Sequence, residues 1–204
     1  MKSSFFAAQG VGRLLALTLF VVGAGAQAHT GQETTAGFIS GFLHPVTGFD
    51  HLLAMVAVGI WGGTLGRPLI WALPVAFPLL MVVGGVLGIV GVPVPLVETG
   101  VAVSVVVLGV AIALAWRALV AVAFLIVAAF GIFHGYAHGA ELPNAVSPVA
   151  YVVGFVLCTV LLHPAGIAIG MLGLLRGGTT ALRAGGALIS ASGRWILTGL
   201  PGVA

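Results

Sequence analysis

The chain has 204 residues, 60% of them hydrophobic and only 5% charged, with a mean hydropathy of +1.25. Those values exclude a soluble globular domain and leave membrane as the class that fits. A formal charge of +3 comes from seven scattered basic residues, which argues against a nucleic-acid surface or a polybasic lipid-binding tail, and one cysteine, Cys158, excludes an internal disulfide.

At the start, Lys2 and Arg13 precede the apolar run Leu14 to Val22, and Gly23 to Ala28 ends in the Ala-x-Ala form that signal peptidase accepts. Residues 1–28 are therefore expected to be a cleavable leader, with His29 as the mature N-terminus on the outer face and residues 29–204 as a single transmembrane domain. The uncleaved alternative makes the same run a first span, but the run is short for that.

The first mature span is expected near 36–63 and carries His44-Pro45-Val46-Thr47-Gly48-Phe49-Asp50-His51. In a straight helix His44 and His51 would lie about 10.5 Å apart along the axis, too far to share one ion. Pro45 and Gly48 predict a kink or unwound turn that brings them closer and frees carbonyls toward a cavity, as ion sites in transporters do. Asp50 demands a partner inside a span, and His51 or an ion is nearest; the plain alternative is an Asp-His pair that only stiffens the bundle. Met55, one turn on, reads as packing.

Further spans are expected near 68–90, 97–115, 118–138, 148–175 and 182–200, which makes an all-α bundle of six transmembrane helices. The fourth of the six ends in Phe133-His134-Gly135-Tyr136-Ala137-His138-Gly139-Ala140-Glu141. His134 and His138 share a helix face with about 6 Å of rise, a spacing at which two imidazoles can hold one metal, and Glu141 continues the stripe before Pro143. An interfacial polar cap is the competing reading. The fifth span holds His163-Pro164, where a lone membrane histidine serves as often in an interhelical hydrogen bond as in ligation. In the sixth, Arg194 beside Trp195 reads as an arginine snorkelling to the interface.

With Glu33 outside, alternation puts Arg67 inside, Glu98 outside, Arg117 inside, Glu141 outside, and Arg176 with Arg183 inside. Every connection then obeys the positive-inside rule, a check independent of hydropathy. The 32 glycines predict close helix packing through small faces.

Ionisable groups inside a bilayer are functional candidates because their burial is costly. Imidazole and carboxylate with little thiolate suit Ni, Co or Zn and disfavour Cu(I). His44, Asp50, His51, His134, His138, Glu141 and His163 are thus candidate ligands for a divalent ion that crosses, captured first by His134, His138 and Glu141 and passed to His44, Asp50 and His51. No cofactor is expected to be held permanently, and no nucleotide-binding motif suggests ATP-driven transport. Two other classes compete: an intramembrane zinc-dependent hydrolase recruiting Ser104 or Thr47, and a cytochrome with axial histidines.

His44 through Met55, with Val58-Gly59-Ile60-Trp61, and Phe133 through Gly139 resemble the HupE/UreJ nickel permeases associated with hydrogenase and urease gene clusters. The resemblance covers essentially the whole mature chain. It implies a non-enzymatic permease of the cytoplasmic (inner) membrane that takes up Ni(II), with Co(II) as a second cargo, for an enzyme such as hydrogenase or urease. It further implies a periplasmic N-terminus and transport roles for His44, Asp50, His51, His134 and His138. Lipid and the metal ion are the expected partners; oligomeric state is left open.

Overall fold

The structure, a computed structural model, describes residues 32–141 and 147–199, with the side chains of 32–34, 141 and 148 outside the description. The expected leader, including His29, lies outside the described residues, as does Pro143. Among those described there is no strand, and seven α-helices follow one another: α1 (Gln32–Thr47), α2 (Phe49–Leu65), α3 (Leu69–Ile89), α4 (Val97–Ala113), α5 (Val120–Glu141), α6 (Pro148–Met171) and α7 (Gly178–Thr198). A short 3₁₀ turn, Leu172–Leu174, follows α6.

The expected first span is two helices meeting at 73°. The break falls at Gly48, one turn beyond Pro45, where the backbone turns extended (φ −74°, ψ 100°) before α2 begins. The Gly48 amide still reaches the His44 carbonyl at 2.8 Å, and the Thr47 hydroxyl donates to the Leu43 and His44 carbonyls. The His44 carbonyl is therefore occupied at the break, while the His51 amide turns to Asp50.

Helices Leu69–Ile89, Val120–Ala140 and Val149–Leu174 are each long and apolar enough to cross a bilayer, and the bent α1–α2 pair passes the same test taken together. Helix α4 is apolar but has 17 residues. Helix α7 has 21 residues but is amphipathic, diluted by Arg183, Arg194, its serines and its glycines. This is a multi-pass, all-helical membrane protein, and two of the six expected spans are less apolar or shorter than the hydropathy reading anticipated.

Glycine faces join the helices in three close interfaces, as expected where no hydrophobic effect drives helices together. A Cβ on Gly131, Gly135 or Gly139 of α5 would strike the carbonyls of Phe77, Met81 and Gly85 of α3, so these two helices run parallel in fixed register. Gly59 and Gly63 of α2 approach the carbonyls of His163 and Ile167 of α6, while Gly37 and Gly41 of α1 approach Ser147 and Tyr151. One helix, α6, thus runs parallel beside both halves of the broken pair. Gly109 of α4 meets Ser190, and Gly186 and Gly193 of α7 meet Ala113 and Val106, an antiparallel register.

The core formed between these pairs holds Met55, Val58, Leu73, Phe77, Val105, Leu108 and Val127 at full burial. Met55 is a packing residue. Trp61, buried at 1% exposure, donates its indole N–H to the Trp116 carbonyl at 3.1 Å and stacks on that ring. The tryptophan of the first motif therefore ties the end of α2 to the segment after α4.

Candidate metal-ion site

The break at Gly48 aims two histidines from successive helices at one place. His44, in the last turn of α1, and His51, in the first of α2, have ring centroids 5.9 Å apart. A helix continued through Gly48 would separate them by nearly twice that. From α5, His138 lies 4.7 Å from His44 and 4.5 Å from His51, and His134 lies 4.7 Å from His51. The result is a ladder of four imidazoles: His44 and His138 form one rung, and His51 and His134 the next. The two motifs thus build one cluster, and the expected succession of two separate stations is replaced by rungs shared between them. Burial deepens along it. His44 is half-buried, His51 and His138 are each 8% exposed, and His134 is fully enclosed.

Hydrogen bonds fix which ring nitrogen carries the proton. Asp50 accepts the His51 amide at 2.8 Å, and its Oδ1 lies 2.7 Å from His51 Nδ1. A carboxylate only accepts, so Nδ1 bears hydrogen and the Nε2 lone pair is left unbonded. Asp50 also sits in the first turn of α2, where the helix dipole favours a negative charge. Ser104 donates to the Val101 carbonyl at 2.6 Å, so its oxygen must accept at 2.8 Å from His134 Nε2–H. The His134 lone pair is then on Nδ1. These atoms, His51 Nε2 and His134 Nδ1, are buried without a hydrogen-bond partner, and so are both ring nitrogens of His138. Buried polar atoms are seldom left so. Orienting one imidazole nitrogen through a carboxylate or hydroxyl is how proteins prepare the other for a metal.

His163 stands apart. The Phe77 ring is interposed, 5.4 Å from His134 and 5.7 Å from His163. His163 Nδ1 donates to the Thr159 carbonyl at 2.7 Å, again leaving Nε2 buried and unpartnered, as is the Thr159 hydroxyl. Glu141 is the last residue of α5, and its side chain lies outside the described ones. Among the described residues, no group of three histidine, cysteine, aspartate or glutamate side chains could hold a metal ion as arranged. Three of the four histidine ring contacts are edge-to-face, at 82° to 89°. Imidazoles around one tetrahedral ion would have centroids about 5 Å apart with lone pairs converging.

Several neighbours of the cluster carried no sequence signal of their own. Ser104 was readable as a hydroxyl that a zinc hydrolase could recruit, with nothing to mark it as the partner of His134. Phe77, Tyr151 and Phe155 look like ordinary span residues, yet Phe155 packs 4.2 Å from His138, and Tyr151 lies 5.9 Å from His44. A groove of about 260 Å³ between α3, α5 and α6 is almost wholly apolar and touches the ladder only through His138.

The residues that form this ladder fall inside a match to the family described as HupE / UreJ protein, which extends over residues 15–196. The chain belongs to the HupE/UreJ family. Over 174 residues it is 41% identical to Protein HupE of Rhizobium leguminosarum bv. viciae, covering 85% of this chain and 91% of that relative. No solved structure matches it.

Proposed function

We propose that this HupE/UreJ chain is a permease that takes up Ni(II), with Co(II) as a second cargo, across the cytoplasmic membrane to supply a nickel enzyme such as hydrogenase or urease. The observation that carries the reading is the histidine ladder: lone pairs on His51 and His134, oriented by Asp50 and Ser104 and left unbonded in a membrane interior. An unpartnered polar atom there is costly unless it has a use.

The ion enters by His44 and His138, the shallower rung, is held between His51 and His134, and moves past Phe77 toward His163. Glu141, at the end of the same helix as His138, draws the cation to the mouth. Rings now packed edge to face turn by a fraction of their width to converge on the ion, so the site binds without retaining, as a transfer site requires. The ion is cargo, and the chain performs no bond-making chemistry on it. Six alternating spans fit the helix directions, because α3 parallel to α5, α2 parallel to α6 and α4 antiparallel to α7 are the relations that strict alternation demands, and the positive-inside distribution of arginines favours a periplasmic N-terminus. The alternative of an intramembrane zinc-dependent hydrolase gains no support, since the Ser104 and Thr47 hydroxyls it would recruit both donate to backbone carbonyls.

The test is radioactive nickel uptake into cells expressing the chain under low nickel, with cobalt and zinc as competitors. Accumulation above cells carrying an empty vector, lowered by excess cobalt, is expected; equal accumulation rejects the proposal.

A further inference from the structure

At the end of the bundle opposite Glu98 and Glu141, the ends of α2, α4 and α6 and the start of α7 enclose a cleft of about 110 Å³. Its lining includes Thr64, Trp116, Arg117, Thr179 and Arg183. Two arginines therefore line one small space. The chain's acidic residues are Glu33, Asp50, Glu98 and Glu141, and none of them lines it. Arg183 is held in place by its Nε, which donates to the Ala113 carbonyl at the end of α4 at 2.8 Å. That bond leaves the two terminal nitrogens of the same fork for another acceptor. Arg117 has no hydrogen-bond or ion-pair partner among the described residues, and its side chain is exposed. Around the cleft, Leu114, Leu119, Leu174 and Leu175 present exposed apolar side chains.

Positive charge in a polar notch, ringed by apolar surface at the end of transmembrane helices, matches an amphiphile with an anionic head and acyl tails. We propose that this cleft binds the phosphate group of an anionic phospholipid from the adjoining leaflet, clamped between Arg117 and Arg183 while the chains lie along the surrounding leucines. Basic pockets between transmembrane helices recognise headgroups in this way, and planar guanidinium forks suit phosphate oxygens. Here the ligand would join the ends of four helices, which are otherwise linked at this end, among the described residues, by the Trp61–Trp116, Arg183–Ala113 and Thr179–Gly173 hydrogen bonds. The inference stands independently of what the histidine ladder carries.

Thermal unfolding of the purified full chain in neutral detergent provides the test, with phosphatidylglycerol, phosphatidylcholine or inorganic phosphate added. Phosphatidylglycerol is expected to raise the midpoint by several degrees and phosphatidylcholine to leave it unchanged. The gain should fall by at least half in Arg117→Gln, vanish in the double variant Arg117→Gln/Arg183→Gln, and persist in Arg194→Gln. An equal, arginine-dependent gain from inorganic phosphate overturns the lipid assignment in favour of a free-anion site. Should Arg183→Gln fail to fold for want of its Ala113 bond, Arg117→Gln alone decides. A full phosphatidylglycerol effect in that variant, or none in the unaltered chain, overturns the proposal.

Discussion

His51 and His134 meet with ring centroids 4.7 Å apart and planes at 84°, each held from behind by a different partner, Asp50 for one and Ser104 for the other. The carboxylate fixes the His51 tautomer, so its loss should weaken ligation without removing a ligand. Asp50→Asn is expected to lower nickel uptake about 10- to 100-fold, the usual cost of deleting a partner behind a metal-binding histidine. Membrane levels of the variant should match the unaltered chain, as immunoblotting would verify.

Gly48 is the pivot of the ladder. A Cβ there would lie 3.2 Å from His51 Nδ1, 3.3 Å from the His44 carbonyl and 3.5 Å from Asp50 Oδ1. Alanine also favours continued helix over glycine by about 1 kcal/mol. Both effects act to straighten the α1–α2 break and part His44 from His51. Gly48→Ala should therefore insert normally yet take up nickel at least several-fold more slowly; uptake at the normal rate would show that the bend tolerates a side chain.

His163 offers a contrast between two substitutions. Asparagine can keep the hydrogen bond to the Thr159 carbonyl while losing the Nε2 position, and glutamine can return a polar atom near that position. If the ion passes His163, uptake falls about tenfold or more in His163→Asn and recovers in part in His163→Gln. A purely structural histidine would give the opposite order, with asparagine the milder change.

Glycine packing makes a stability prediction separate from transport. Gly135 lies against the Met81 carbonyl with no room for a side chain, whereas Gly185 has nothing within 4 Å of where a Cβ would stand. Gly135→Val should destabilise the α3–α5 pair by about 1–3 kcal/mol or more and lower the amount of protein recovered from membranes. Gly185→Ala should leave recovery intact and hold or slightly raise the thermal midpoint, since alanine has room there and favours helix.

Uptake should also depend on pH through the ligands themselves. An imidazole that binds a metal must be neutral, and a proton takes the same lone pair. Uptake should decline as external pH is lowered across the acid range and recover as it rises. Initial rates measured across that range, with metal speciation held constant, check the sign.

Much of this site was legible because ionisable residues are so sparse in an apolar chain that each one is conspicuous. The spacing of His44 and His51 even posed the right difficulty, and Gly48 resolves it. What could not be read was the pairing between helices. Nothing in the sequence says that His138 faces His44 while His134 faces His51, since that depends on the glycine register of α5 on α3 and of α6 on both α1 and α2. The partners Ser104 and Phe77 were hidden for a related reason: a hydroxyl or an aromatic ring within a span fits lipid, core or site equally well. Span boundaries were close for α3 to α6, whereas α7 proved amphipathic because its arginines and serines are offset by a single apolar face that hydropathy averages away.

The most direct test of the permease reading uses purified protein in liposomes with a nickel-quenched dye trapped inside. Nickel added outside should quench the dye rapidly in vesicles carrying the unaltered chain, and at the protein-free rate in vesicles carrying Asp50→Asn with His51→Ala. Equal quenching by the double variant, or none by the unaltered chain, would contradict the claim that the ion crosses through the histidine ladder.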